Sequence, residues 1–265
     1  MDFTVDGKRA YAYTAAHDLN PALPTVVFVH GAGLDHSWWG LQSRYFGYHG
    51  RNVLAADLPG HGRSEGPPVG SIEALADWVM RLMDAAGVAR AAVVGHSMGS
   101  LVALECAARH PGRVSRVALL GTAFPMKVSD AFLEAAARND QAAYDMETIW
   151  GHAPQVPFGS NPNPGMWMYG DTLARLSRLA PGVLHTDLQA CNGYTGGLES
   201  ASKVKCPAMV LAGARDLMTP PRAAQGLIQA IPGVQSVNLR LSGHSLMAEA
   251  PDATLDALIG FLAKD

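Results

Sequence analysis

Short apolar segments alternate with helix-like segments along most of the chain, and this alternation constrains the fold more than any other feature. The apolar segments are rich in Val, Leu and Ala, and they cover residues 25–29, 52–56, 91–94, 114–120, 208–212 and 236–241. Near-continuous apolar character is typical of strands covered on both faces, as in a parallel sheet. Ahead of them, residues 3–5 and 9–14 flank Asp6 and Gly7, a pair that favours a hairpin turn.

Helix signals lie between these segments. Apolar residues spaced for one helix face follow Ser71, a residue type that caps helix N-termini, and Gly87 provides a C-terminal stop. Further helices are predicted at residues 98–109, before Pro111, and at residues 255–262. Strands that alternate with helices predict a doubly wound α/β fold, with helices flanking a mostly parallel sheet.

The alternation of predicted strands and helices stops after residue 123, and the next predicted strand follows at Cys206. Helical patterns in this gap cover residues 129–138, 141–150 and 172–179. A chain of 265 residues is also long for one domain of roughly 150 residues. We therefore predict a core formed by residues 1–123 and 204–265, interrupted by a mostly helical insertion at residues 124–203.

A nucleophile motif lies at the junction between a predicted strand and the helix that follows it. Residues 95–99 read Gly-His-Ser-Met-Gly, which matches the G-x-S-x-G pattern in its strand–turn–helix context. Such a turn is tight, so that the Ser97 side chain projects from the end of the sheet, and Gly95 and Gly99 leave room for neighbouring backbone. The alternative is a glycine-rich turn with an incidental serine, and the context favours the nucleophile.

A serine nucleophile needs a base, and the base needs an acid that orients it. Asp216 and His244 each follow a late predicted strand, and the order Ser97, Asp216, His244 is the order that this motif predicts. Another acid might follow the strand at 114–120, but residues 121–123 are Gly, Thr and Ala. The alternative roles, a loop carboxylate for Asp216 and a loop histidine for His244, are less favoured.

Two loops after the first two central strands carry further signals. Residues 30–33 read His-Gly-Ala-Gly, and we expect the Ala32 N–H, rather than that of Gly33, to bind an oxyanion together with the Met98 N–H. Residues 57–64 read Asp-Leu-Pro-Gly-His-Gly-Arg-Ser, which favours structural bracing of the loop over catalysis. The chain shows no clustered metal ligands, so neither a metal nor a cofactor is expected.

The expected substrate pocket is apolar and aromatic. Its predicted lining residues are Leu34, Trp38, Phe124, Trp150, Trp167, Leu217 and Leu246. Such a lining favours a small or medium hydrophobic acyl or alcohol group. The alternative for the tryptophans of the insertion is that they pack against the core without touching the substrate.

Charge and composition exclude several classes of partner. The net charge is −3 and dense Lys/Arg runs are absent, so neither nucleic acid nor an anionic membrane is an expected partner. No apolar run reaches the ~18 residues that span a bilayer, and the N-terminus has no signal-peptide pattern. The three widely spaced cysteines favour a reducing cytoplasm, and we expect a monomer or a homodimer.

Together these motifs resemble those of the α/β-hydrolase superfamily, and within it the small bacterial carboxylesterases and enol-lactonases. The matching segments are residues 30–33, 57–64, 95–99, 213–216 and 243–244. The resemblance implies an eight-stranded sheet with a helical cap over the site, and the insertion at residues 124–203 would be that cap.

Two departures separate the chain from other groups of this superfamily. Haloalkane dehalogenases and epoxide hydrolases use an aspartate nucleophile, whereas position 97 is serine. The meta-cleavage C–C hydrolases usually carry Gly-Pro-Gly where residues 34–36 read Leu-Asp-His. We therefore expect hydrolysis of carboxylic esters through an acyl-enzyme, with a C–C hydrolase, a perhydrolase or a low-turnover ligand receptor as alternatives.

Overall fold

The computed structural model describes residues 1–159 and 165–263, so residues 160–164 of the predicted insertion and residues 264–265 lie outside the description. Its sheet has eight strands: β1 (Asp2–Val5), β2 (Lys8–Tyr13), β3 (Thr25–Val29), β4 (Asn52–Ala56), β5 (Ala91–His96), β6 (Val114–Leu120), β7 (Ala208–Gly213) and β8 (Gln235–Leu239). Their spatial order is β1-β2-β4-β3-β5-β6-β7-β8. β2 pairs antiparallel with β1 and β4, and the other neighbours are parallel.

The described helices are α1 (Gly40–Tyr48), α2 (Ile72–Ala85), α3 (Met98–Arg109), α4 (Asp130–Ala137), α5 (Gln141–Trp150), α6 (Met168–Leu176), α7 (Val183–Gly193), α8 (Gly197–Lys203), α9 (Gln225–Ala230), α10 (Leu246–Glu249) and α11 (Pro251–Leu262). Among the described residues, none of these helices has the length and apolar character needed to cross a bilayer.

The predicted eight-stranded, mostly parallel sheet is confirmed, and one strand departs from the expected apolar pattern. Every residue of β3, β4, β5 and β7 is buried, because these strands lie inside the sheet. β8 forms the edge and alternates exposed with half-buried residues, so its Gln235, Ser236 and Asn238 meet water. It also ends at Leu239, two residues before the predicted end.

Apolar side chains form two clusters, one on each face of the sheet. Val27 and Val29 of β3 belong to the cluster under α2 and α3, whereas Val26 and Phe28 belong to the cluster with Trp39 and α11. Successive strand residues point to opposite faces, which explains this division. The parallel strands also end at one edge of the sheet, and the loops that follow β3, β5, β7 and β8 meet there.

Helices α4 to α8 occupy the gap between β6 and β7. α4 and α5 match the predicted helices closely, α6 begins four residues earlier than predicted, and α7 and α8 were not predicted. α4 packs on α5 and α7, whereas α8 packs on α3 and α9 of the core. The division of the chain at residues 123 and 203 stays a prediction.

We expect Ser71→Ala to lower the free energy of unfolding by about 1 kcal/mol, because the Ser71 Oγ accepts a hydrogen bond from the Ala74 N–H (3.1 Å) at the start of α2. Urea denaturation followed by circular dichroism measures the change. Ser71→Asp, which keeps an acceptor at the cap, serves as the control and should retain most of the stability. An unaltered midpoint for Ser71→Ala would show that the cap contributes nothing.

Candidate active site

Ser97 occupies a tight turn between β5 and α3. Its backbone φ of 53° lies in the left-handed region, and its N–H donates to the Leu120 carbonyl (2.9 Å). A Cβ at position 95 would lie 1.9 Å from the Gly99 carbonyl oxygen, and one at position 99 would lie 2.3 Å from the Val29 oxygen. These approaches leave no room for a side chain, so glycine is required on both sides of Ser97.

His244 and Asp216 form a buried pair in the loops after β8 and β7. The His244 Nδ1 lies 2.8 Å from the Asp216 Oδ2, which also accepts from the Thr219 hydroxyl (2.7 Å). The Asp216 Oδ1 accepts the N–H groups of Met218 (2.9 Å) and Thr219 (2.7 Å). Because Asp216 holds the proton on Nδ1, the His244 Nε2 presents its lone pair.

The pKa shifts of Asp216 and His244 are those expected for a carboxylate that stabilises a protonated histidine. Burial raises the pKa of Asp216, but His244 and the hydrogen bonds of Thr219 outweigh burial and hold that pKa below its usual range. Burial lowers the pKa of His244, but Asp216 outweighs burial, so the net pKa lies above the ordinary 6.5. The carboxylate therefore stabilises an imidazolium at position 244.

His96 and Gly121 place the His244 ring close to the Ser97 turn. The rings of His96 and His244 lie 4.7 Å apart, and the His96 Nε2 donates to the His244 carbonyl (2.9 Å). A Cβ at position 121 would lie 3.1 Å from the His244 Cε1. The His244 Nε2 is buried and has no hydrogen-bond partner within the described ranges, so the Ser97 hydroxyl does not bond to it in this structure.

The loop after β3 holds a free N–H group beside Ser97. A Cβ at position 31 would lie 3.1 Å from the Ser97 Cβ, and Ala32 lines the same cavity as Ser97. The Gly33 N–H is engaged by the Asp187 carboxylate (2.9 Å), whereas the Ala32 N–H has no partner in the part of the chain that the structure describes. Met98 is the first residue of α3, where an N–H has no partner inside the helix.

Asp187 connects α7 to this loop, a contact that the sequence did not suggest. The Asp187 Oδ2 on α7 accepts from the Gly33 N–H and from the His61 Nε2 (2.8 Å). The His61 Nδ1 lies 3.0 Å from the Pro59 carbonyl, so both ring nitrogens face acceptors, an arrangement that favours the imidazolium form. Burial lowers the pKa of His61, but Asp187 outweighs burial and the net pKa is raised.

Glu249 makes a second connection, between the segment that follows α5 and the loop that carries His244. Its carboxylate accepts the N–H groups of Ala153, Gly243 (both 3.0 Å) and Ser245 (3.1 Å). The Ser245 hydroxyl also donates to the Gly151 carbonyl (2.6 Å), directly after α5. The C-terminal end of α5 is therefore fixed to the loop that carries His244.

A cavity of about 470 Å³ opens at Ser97. It is lined by Ala32, Ser97, Met126, Lys127, Val128, Ser129, Phe132, Glu147, Trp150, Leu188, Cys191, Leu217, Met218 and Thr219. Two of the seven pocket residues predicted from the sequence, Trp150 and Leu217, are in this set. Its walls come from the segment between β6 and β7 as well as from the loops after β3, β5 and β7.

The other five predicted pocket residues lie outside the cavity lining. Leu34, Trp38 and Leu246 are buried in the apolar cluster on one face of the sheet. The Phe124 ring packs against Tyr194, and Trp167 is 73% exposed ahead of α6. Proximity in sequence to a catalytic loop does not determine which way a side chain points, and that accounts for the difference.

Asp35, His36 and Asp57 lie close enough together to resemble a metal site, and their hydrogen bonds account for the arrangement. The Asp57 Oδ1 accepts from the His36 N–H (2.7 Å) and lies 2.8 Å from its Nδ1. The Asp57 Oδ2 accepts from the Arg63 N–H (2.8 Å). These bonds brace the loop at residues 57–64.

The family of the chain follows from a match to a known fold family. The model of the alpha/beta hydrolase fold family matches residues 24–251, so the chain belongs to that family.

Several proteins with related sequences or structures carry the names of hydrolases. The chain is 29% identical to the pimeloyl-[acyl-carrier protein] methyl ester esterase of Chromobacterium violaceum, covering 84% of this chain and 87% of that protein. It is also 29% identical to the putative carbamate hydrolase RutD of Klebsiella pneumoniae, covering 85% and 86%. The enol-lactonase of Burkholderia xenovorans superposes with a TM-score of 0.85 at 27% identity, over 100% of both chains.

We expect Asp187→Asn to lower the free energy of unfolding by about 3 kcal/mol, because it leaves the buried imidazolium of His61 without its counter-charge. Urea denaturation measures the loss. Glu199→Gln on α8 breaks an exposed ion pair with Lys203 and serves as the control, with no change in midpoint expected. Equal stabilities of Asp187→Asn and the wild type would contradict the ion pair.

The contribution of the His61–Asp187 pair to the free energy of unfolding depends on pH in a defined way. The folded pKa of His61 lies above its unfolded value of 6.5, so the stabilisation is complete below pH 6.5. It is lost as the pH rises through the raised pKa. The stability difference between the wild type and Asp187→Asn should therefore be larger in acid than in alkaline buffer, and a constant difference would argue against a titrating His61.

Proposed function

We propose that this protein is a serine hydrolase that cleaves small or medium hydrophobic carboxylic esters through an acyl-enzyme. The observation that carries the proposal is the buried His244–Asp216 pair, with its free Nε2, beside a serine held in a strained turn. Strained backbone at such a position is common at functional sites. The named relatives, an esterase, a putative carbamate hydrolase and an enol-lactonase, support hydrolysis at an acyl carbon.

In the first half-reaction, the His244 Nε2 takes the hydroxyl proton of Ser97 while the Ser97 Oγ attacks the ester carbonyl. The tetrahedral intermediate carries its negative charge on the former carbonyl oxygen. The intermediate then collapses, the bond from the acyl carbon to the alcohol oxygen breaks, and His244 gives the proton to the leaving alcohol. Asp216 stabilises the imidazolium throughout this step.

In the second half-reaction, His244 removes a proton from water as the water oxygen attacks the acyl carbon. Collapse of this intermediate breaks the bond to the Ser97 Oγ, which recovers its proton from His244 and releases the carboxylic acid. The N–H groups of Ala32 and Met98 are assigned to the oxyanion in both steps. The free Ala32 N–H supports this assignment over Gly33, whose N–H is already engaged by Asp187.

The insertion serves as a cap in this proposal. It contributes Glu147, Trp150 and Leu188 to the wall of the cavity, whereas Ala32, Ser97 and Leu217 come from the core. A volume of about 470 Å³ suits a small or medium substrate, and the predominantly apolar wall favours hydrophobic groups.

We expect Ser97→Ala to abolish labelling by a fluorophosphonate and to lower the turnover of p-nitrophenyl butyrate by about 10³-fold or more, because it removes the nucleophile. Gel fluorescence and absorbance assays measure the two effects. Ser100→Ala removes the neighbouring serine and should keep the label. Persistent labelling or turnover in Ser97→Ala would refute the esterase proposal, and absence of any label in the wild type would favour a binding protein.

We expect Asp216→Asn to lower kcat by about 10³–10⁴-fold and to move the acid limb of the kcat/KM profile to lower pH. His244 must be neutral to act as a base, so the acid limb follows its pKa. Asp216 raises that pKa above 6.5, and its removal should therefore lower the pKa and move the limb. A pH series with p-nitrophenyl butyrate measures both effects. Asp171→Asn, at an aspartate of α6 outside the cavity lining, should leave the limb in place. An unmoved limb in Asp216→Asn would contradict the assigned role.

A further inference from the structure

The loop that carries the Ala32 N–H is a tight turn closed by its own backbone. The Leu34 N–H donates to the Gly31 carbonyl (3.3 Å), which closes a β-turn around the two residues between them. Gly33 has a φ of 66°, a left-handed conformation that glycine adopts at the third position of such turns. The His30 Nδ1 also lies 2.8 Å from the Gly31 carbonyl. The peptide between Gly31 and Ala32 is therefore fixed through its carbonyl, and the Ala32 N–H points away from that carbonyl.

The next peptide of the turn, between Ala32 and Gly33, is held by α7. Its N–H donates to the Asp187 Oδ2 (2.9 Å), and the Asp187 side chain is 1% exposed. The same oxygen lies 2.8 Å from the His61 Nε2, so the carboxylate is held in place from a second direction. Among the described residues, the Gly33 N–H has no other acceptor. The orientation of this peptide therefore depends on Asp187.

Apolar side chains from α6 and α7 enclose the same turn. A Cβ at position 33 would lie 2.9 Å from the Leu176 Cδ2 and 3.1 Å from the Leu184 Cδ1. Leu176 ends α6, Leu184 lies on α7, and Gly33 itself is buried. Water is therefore a poor substitute for Asp187 at this position. Without the carboxylate, the Gly33 N–H would be buried and would lack an acceptor, which costs free energy that a rotation of the peptide can relieve.

A rotation of this peptide would be felt at the proposed oxyanion site. The two peptides of the turn share the Cα of Ala32, and the turn is closed at both ends, so a rotation of the second peptide displaces the first. A donor stabilises an oxyanion only at hydrogen-bond distance and with good alignment, and the interaction weakens steeply as the angle departs from linear. A small displacement of the Ala32 N–H is therefore enough to slow the reaction.

We propose that Asp187 is a positioning residue that holds the Ala32 N–H in the geometry required to bind the oxyanion. The inference rests on the proposed esterase function and deepens it. Asp187 is outside the cavity lining, so it acts through the Gly33 N–H rather than on the substrate. In this proposal α7 contributes to the rate of the chemical step as well as to the wall of the cavity.

Three substitutions at position 187 separate positioning from stability. Asp187→Ala and Asp187→Leu remove the acceptor of the Gly33 N–H, whereas Asp187→Asn removes the charge and keeps a side-chain oxygen that can accept this N–H. The matched control is Glu105→Ala. Glu105 is also a buried carboxylate outside the cavity lining, and it accepts hydrogen bonds from the hydroxyl groups of Tyr194 and Ser200.

The readouts are kcat and kcat/KM for p-nitrophenyl butyrate and the Ki of 1,1,1-trifluoropentan-2-one. Each is expressed per folded protein, with the folded fraction measured by circular dichroism. The Ser97 Oγ adds to the carbonyl carbon of this ketone, the hydroxyl proton passes to His244, and the carbonyl oxygen becomes an oxyanion. The adduct resembles the tetrahedral intermediate, so its affinity reports directly on oxyanion binding.

We expect Asp187→Ala and Asp187→Leu to lower kcat and kcat/KM together by about tenfold or more and to raise the Ki of the ketone by a similar factor. The two constants fall together because the lost interaction is made in the transition state and not with the bound ester. Asp187→Asn should keep kcat within about threefold of the wild type, although it is less stable. Glu105→Ala should leave kcat and Ki per folded protein unchanged.

Three results would overturn the inference alone. Unaltered kcat and Ki in Asp187→Ala and Asp187→Leu would leave Asp187 with a structural role only. An equal loss in Asp187→Asn would mean that its charge, and not the bond to Gly33, is responsible. An equal loss in Glu105→Ala would mean that removing any buried carboxylate has this effect. A wild-type protein that neither hydrolyses the ester nor binds the ketone would instead refute the esterase proposal, and this inference with it.

Discussion

The close packing of backbone around Ser97 is the constraint on which the rest of the site depends. β5 turns into α3 with so little space that a Cβ at position 95 or 99 would overlap main-chain atoms of the turn or of β3. The turn places the serine at the end of the sheet and the start of α3 behind it. In the proposed mechanism the turn also fixes where the base, the acid and the oxyanion-binding N–H must lie, because each has to reach the Ser97 hydroxyl or the carbonyl that it attacks.

Buried carboxylates hold the surrounding loops and the helices α5 and α7 in place around the Ser97 turn. Asp216 orients His244, Glu249 joins the His244 loop to the end of α5, and Asp187 joins α7 to the Gly33 N–H and to His61. Each carboxylate accepts two or more hydrogen bonds, which offset the cost of burying it. Glu147 is the exception, because it lines the cavity and its buried Oε2 has no hydrogen-bond partner among the described residues.

Some outcomes at the site followed from local pattern and others did not. The order of Ser97, Asp216 and His244 after successive strands was readable because parallel strands end at one edge of the sheet. Thr219 had a weak signal, since a threonine three residues after an aspartate is typical of a local turn bond. Asp187 and His61 had none, because 126 residues separate them and no periodicity relates them. The cavity lining was only partly predicted, because it too is formed by residues that lie far apart in the sequence.

The amino-acid sequence alone predicted the order of the strands, the helices α2 to α6 and α11, the glycine-bounded serine turn and the class of chemistry, because these depend on local sterics and on apolar periodicity. Three outcomes came only from the packing of the folded chain: β8 is a water-exposed edge, the Gly33 N–H is engaged by Asp187 while the Ala32 N–H has no partner among the described residues, and Trp150 lines the cavity while Trp167 does not. These depend on how α5 and α7 of the insertion pack against the core, and such long-range packing leaves no local trace in the chain.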